Sequence, residues 1–141
     1  MAQILPSSEL AVVSVDSFAT PTIITRASRT TRKKFFEFFT VPIRNANTRA
    51  AYYRAIQQFL DWAERAGYQD LEDIEPMTVA AYIETLGRRA APPTVKQHMA
   101  AIRMLFSWLT EKGVLAMNPA REVKDREIFA DRRENAGVRR R

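Results

Sequence analysis

Between Pro92 and Gly113 the apolar residues Val95, Met99, Ile102, Phe106 and Leu109 recur at steps of four and three. That is the spacing of one face of an α-helix. Leu105 widens the stripe. Pro93 suits a first helical turn, where its missing N–H costs little. Gly113 can take the left-handed conformation that closes a helix. The opposite face carries Lys96, Ala100, Arg103 and Ser107 in one row, with Gln97 beside it. Long basic and amide side chains over small residues let a second surface approach closely, and a DNA major groove about 12 Å wide admits such a helix. The alternative is a solvated exterior.

A second long helix is predicted over 47–66, with Asn47 as its cap and Gly67 at its end. Tyr52, Ile56, Phe59 and Ala63 form its core row, flanked by Leu60 and Trp62. Arg49, Tyr53 and Gln57 make a separate stripe with Arg54 adjoining. Arginine, a phenol and an amide on one stripe suit phosphate and base-edge contacts. Before it, RTTRKKFFEFFT at 29–40 predicts a shorter helix with Phe35, Phe38 and Phe39 on one face, broken at Pro42. Its basic start opposes the helix dipole, which hints that those charges serve something else. An acidic loop spans 68–75, and Pro76 opens a further helix with Val79, Tyr82, Ile83 and Leu86 inward. Four helices joined by short loops, without a strand pattern, predict an all-α bundle over 29–124. Residues 1–28 read as a mobile arm in which Ile23 and Ile24 can pack locally, though nothing requires it. Residues 114–123 read as a turn with a hydrophobic tuck, and 125–141 as a disordered basic tail.

Charge sharpens this picture. The net charge is +6, and residues 29–66 hold eight Lys/Arg against three Asp/Glu, whereas 67–91 hold two against five. A polyanion-facing side and an opposite side are implied. There is no cysteine and one histidine, so neither a thiolate nor a His-rich metal site is expected, and no cofactor. Asp70, Glu72, Asp73 and Glu75 lack the glycine of an EF-hand loop and read as an acidic connection. No apolar run is long enough to span a bilayer, and the start lacks the pattern of a signal peptide. A bacterial cytoplasmic setting without membrane contact is expected.

The segments NTRAAYYRAIQQFLDWAERAG, DIEPMTVAAYIETL and APPTVKQHMAAIRMLFSWLTEKGVLAMNPAREV, in that order, resemble the N-terminal core-binding domain of tyrosine recombinases, the phage-integrase family. Thr48 and Tyr52 stand four apart, with Ile56 continuing the row. Thr94-Val95, Ala101-Ile102-Arg103, Phe106, Trp108-Leu109 and Asn118-Pro119-Ala120 follow. The resemblance covers 29–124 and implies a four-helix, SAM-like bundle that clamps one side of double-stranded DNA. It implies that the second and fourth predicted helices face the major groove. Arg49, Tyr53, Arg54 and Gln57 would then lie on one, and Thr94, Lys96, Gln97 and Arg103 on the other. Thr94 can instead serve as an early-turn cap. Contacts between recombinase protomers are also implied, with Phe35 and Tyr82 as candidates if they are not core residues. His98 borders the core face and reads as a partly buried histidine.

The family's reaction needs a tyrosine nucleophile with arginines, a lysine and histidines around the phosphodiester. The resemblance assigns those residues to a separate C-terminal domain. This sequence has no His-x-x-Arg motif, and Tyr52, Tyr53, Tyr68 and Tyr82 all fall within the predicted bundle. The expectation is a DNA-binding chain with no catalytic residue and no small-molecule substrate. Where the family runs through a linker resembling GKTPxL, the tail reads DRRENAGVRRR. With permitted codons chosen for Asp131 to Arg140, a shifted frame reads RTEGKTPAFV. A truncated or frameshifted product is therefore expected, out of frame over 125–141. The competing expectation, motivated by the phenylalanines of 29–40, is a helical protein-interaction module or a remnant that associates with an intact recombinase.

Overall fold

Several helix ends lie where the sequence supplies hydrogen-bond partners for their end groups, or a proline that needs none. The computed structural model describes residues 19–124. The arm expected over 1–18 and the out-of-frame tail expected over 125–141 lie outside the described residues. Among those described, the elements are α1 (Thr22–Thr25), α2 (Arg29–Thr40), α3 (Ala46–Arg65), a 3₁₀ turn (Leu71–Asp73), α4 (Pro76–Gly87) and α5 (Pro92–Glu111), with no strand. The all-α SAM-like bundle is thus the observed fold class, with one short helix added in front.

The Ser28 hydroxyl accepts the Thr31 N–H at the start of α2. The cap of α3 is Asn45 rather than the expected Asn47. Its Oδ1 accepts the N–H groups of Asn47 and Thr48 at 2.9 and 3.0 Å. Asn45 is extended while Asn47 is already helical, and only the extended residue can fold its side chain back over the first turn. At α4 the Glu75 N–H donates to the Thr78 hydroxyl at 3.1 Å, and Pro76 takes the first helical position. Gly67 (φ 106°) and Gly113 (φ 79°) close α3 and α5. In each case the glycine N–H returns to the carbonyl three residues back, and the next N–H to the carbonyl five back: Tyr68 to Ala63, and Val114 to Leu109. These are complete Schellman ends, with Tyr68 and Val114 packed against the core as the motif requires.

The core runs between α3 and α5, with α2 and α4 to either side. The Phe59 ring meets Tyr82 of α4 at 5.1 Å and Phe106 of α5 at 6.2 Å. On the other side Phe35 and Phe39 of α2 stand edge-on to Tyr53 at 6.1 and 4.9 Å. Trp108 donates its Nε1–H to the Lys34 carbonyl at 2.8 Å, which ties α5 to α2. Phe35, Phe38 and Phe39 are fully buried, so they are not an interaction surface.

Residues 19–28 belong to this core, not to a mobile arm. Ile23 and Ile24 are fully buried, and α1 packs on both α2 and α3. Gln57 Nε2 holds the Ala19 carbonyl at 2.6 Å, and Arg26 reaches the Gln69 carbonyl at 2.8 Å. A single turn of helix leaves too short a period to announce itself in sequence, so two adjacent isoleucines carried the only trace of it.

His98 is buried, and its Nδ1 lies 3.1 Å from the Tyr82 hydroxyl. Burial holds the imidazole below its ordinary value, and the nearby Arg89 charge adds to this. Burial pushes the phenol up to about 12, against the opposing pull of Arg89.

Two outcomes follow for stability. Ile24→Ala is expected to lower unfolding free energy by about 2–4 kcal/mol, the cost of a core cavity; a urea midpoint unchanged from the parent would return residues 19–28 to the status of an arm. His98 is depressed when folded, so its contribution is intact above the unfolded value of 6.5 and is lost as pH falls below it. Urea midpoints at pH 7.5 and 5.5 should therefore differ more in the unaltered chain than in His98→Gln.

Candidate nucleic-acid interface

A helix between two neighbours has two flanks, and the polar stripe of α3 lies on the flank turned to α1 and α2. Arg49 is half-buried, with Nε on the Phe39 carbonyl at 2.6 Å and Nη2 on the Ile43 carbonyl at 3.2 Å. Phe39 lies in the last turn of α2, where carbonyls lack helical partners and carry the negative end of the dipole. Arg49 thus caps a neighbouring helix. Tyr53 is fully buried against the α2 phenylalanines, and Gln57 holds residue 19. Of the expected DNA-facing stripe Arg49–Tyr53–Gln57, Tyr53 is thus buried, and Arg49 and Gln57 are half-buried and hold backbone carbonyls. The tyrosine pair was assigned the wrong way round: Tyr53 is the core residue, and Tyr52 is only partly buried. Arg54 does face outward.

The opposite flank of α3 turns to α5. Arg44, Asn45, Thr48 and Tyr52 share a groove of ≈ 200 Å³ with Pro42, Ile43 and Met104 of α5. This groove joins the start of α3 to the outward row of α5. That row contains Lys96, Gln97, Ala100, Met104 and Ser107, all exposed, with Thr94 exposed at its head. Together they form one polar surface. Arg103 sits at its edge, half-buried, with Nη2 donating to the Val123 carbonyl. Asn118 Nδ2 reaches the Ser107 hydroxyl at 3.1 Å, so the 114–123 turn is strapped alongside α5. Of the eight candidates, Arg54, Thr94, Lys96 and Gln97 are exposed, while Arg49, Tyr53, Gln57 and Arg103 are committed within the fold.

Arg44 and Thr48 were missed as surface candidates. The signal for Thr48 was present in the Thr48/Tyr52 spacing; Arg44 lay in a loop that no periodicity covers. Carboxylates gather elsewhere. Glu111 and Glu122, with Arg121, line a groove of ≈ 450 Å³ along the last turn of α5 that includes Ser107, and Glu72 and Glu75 line an adjoining one of ≈ 210 Å³. The two grooves share Pro76, Ala116 and Met117. No group of three or more potential metal ligands occurs among the described residues. No helix among them is long and apolar enough to cross a membrane.

The profile of the family described as phage integrase, N-terminal SAM-like domain, matches residues 32–114, more than half of the chain. The chain belongs to that family. Tyrosine recombinase XerC of Xanthomonas campestris pv. campestris (strain B100) is 26% identical to this integrase domain over 77 residues, 54% of this chain and 24% of the relative. XerC of Roseiflexus sp. (strain RS-1) is 28% identical over 87 residues, 61% of this chain and 28% of the relative. Tyrosine recombinase XerD of Caulobacter vibrioides is 30% identical over 78 residues, 55% and 25% respectively. The chain thus spans about a quarter of the length of these curated relatives. No solved structure matches it.

Arg49→Ala is expected to cost about 1.5–3 kcal/mol of stability, because two hydrogen bonds from a charged donor are lost from half-buried carbonyls. Denaturant unfolding checks this. A variant as stable as the parent would free Arg49 for a role outside the fold.

Proposed function

We propose that this chain is a duplex-DNA-binding module of a site-specific tyrosine recombinase. It lays the outward row of α5 and the start of α3 against the major groove and cuts no DNA by itself. The observation that carries this reading is the groove joining Thr48 and Tyr52 to Met104, which makes the exposed parts of two helices a single surface. Lys96 and Arg44 supply charge for phosphate, and Gln97 and Thr48 supply groups of the kind that meet base edges. The grooves at the last turn of α5 and beside it, where Glu72, Glu75, Glu111 and Glu122 outnumber Arg121, are a poorer seat for a polyanion. Support for binding without cleavage comes from the tyrosines. Tyr53 and Tyr82 are buried, and Tyr52 and Tyr68 are packed against the core. A nucleophilic phenol needs a reachable, activated hydroxyl.

A second reading is docking on a recombinase protomer. It draws on Met77 and Met117, 76% and 64% exposed, the latter lining the acidic grooves. Phe35 and Tyr82, the earlier candidates for such contacts, are buried. Sedimentation without nucleic acid separates this reading from the first.

Fluorescence polarisation with labelled duplex DNA tests the main reading. If about four phosphates are contacted, raising salt from 50 to 200 mM should weaken binding by roughly 150-fold, a log–log slope near −3.6. Lys96→Glu should weaken binding at low salt and flatten that slope by about one unit. Salt-insensitive binding, or none at low salt from a folded chain, would overturn the proposal.

A further inference from the structure

Met104 stands 39% exposed in the middle of the polar row of α5. Ala100 lies one turn before it and Gln97 two turns before it, all exposed. Across the groove stand Thr48, Asn45 and Arg44. Among the described residues the other large apolar side chains this exposed are Val41, Met77 and Met117, none of which lies on α5. Pro42, Ile43 and Tyr52 line the same groove and give Met104 apolar neighbours on one side, but the part of its side chain left exposed has no counterpart on a face that meets phosphate alone. On a face that meets base edges it has a chemical counterpart. The C5-methyl of thymine is the apolar group that base pairs present in the major groove. A thioether side chain, unbranched and polarisable, adapts well to such a contact.

Gln97 has the matching chemistry for the adenine of a separate A·T pair, since a carboxamide meets adenine N6 and N7 as donor and acceptor together. Seven residues separate Gln97 from Met104, about 10 Å along the helix, or about three base-pair steps. We propose that Met104 reads a thymine methyl group while Gln97 reads adenine, so that this face selects A·T pairs in the major groove. The inference rests on the DNA-binding reading above and names the bases which that surface discriminates.

The test uses the full chain and a single A·T-rich duplex prepared twice, once with thymine and once with deoxyuridine at every thymine position. The two probes differ only in C5-methyl groups. Polarisation titrations at low salt should give about 3–5-fold tighter binding to the thymine duplex for each methyl buried. Met104→Gln, a change at an exposed helical position, should bind both duplexes alike. Equal affinity of the unaltered chain for both would overturn the methyl readout and leave DNA binding standing. A thymine preference that persists in Met104→Gln would overturn the assignment to this residue. Binding of neither duplex would overturn both readings.

Discussion

Phe59 is the ring on which three helices meet. It stacks near Trp62 on its own helix at 6.4 Å and stands edge-on to Tyr82 of α4 and Phe106 of α5. Edge-to-face aromatic contacts of this kind add roughly 0.5–1.5 kcal/mol each beyond the area they bury. More important is what they fix. With α3 held between α4 and α5 by one ring, and against α2 by Tyr53, its rotation about its own axis is set. Every statement about which α3 residue is inside or outside depends on that rotation.

The same constraint explains why the polar residues of α3 behave as they do. A central helix cannot present a broad polar face to water, yet backbone carbonyls at the ends of its neighbours need donors. Arg49 and Gln57 supply them, to Phe39, Ile43 and Ala19. On α5, Arg103 donates to the Val123 carbonyl in the turn that follows, and Trp108 to the Lys34 carbonyl within α2. The long polar side chains closest to the core thus serve as stitches between segments, and the exposed polar surface is made by residues further round each helix.

How much of this was legible in the sequence follows from that geometry. The core row of α5, its closing glycine, and the sequence of four long helices were readable from periodicity and end chemistry, because both are local. The family was readable from the order of Thr48, Tyr52, Thr94, Arg103 and Asn118-Pro119. On α5 one face is buried and most of the opposite row expected from periodicity, Lys96, Gln97, Ala100 and Ser107, is exposed, while Arg103 is half-buried and Met104 takes a place in the row that the periodicity did not give it. On α3 the wheel showed a polar stripe but could not say whether water or a neighbouring carbonyl would satisfy it. Tyr52 and Tyr53 are 100° apart, and only the position of the α2 phenylalanines decides between them. Helix α1 was hidden because one turn has no period.

The segment shared with the family, residues 32–114, is smaller than the segment that holds itself together. Ile23 and Ile24 precede it, and Leu115, Ala120 and Val123 follow it, all buried. The homology edge also falls inside α2, beyond its Ser28 cap. A chimaera joined at the edges of the match would leave two apolar seats vacant, one beside α1 and one beneath the turn after α5. Exchanging this module between proteins therefore has to carry Ile23 and Ile24 at one end and Leu115 to Val123 at the other along with the matched segment.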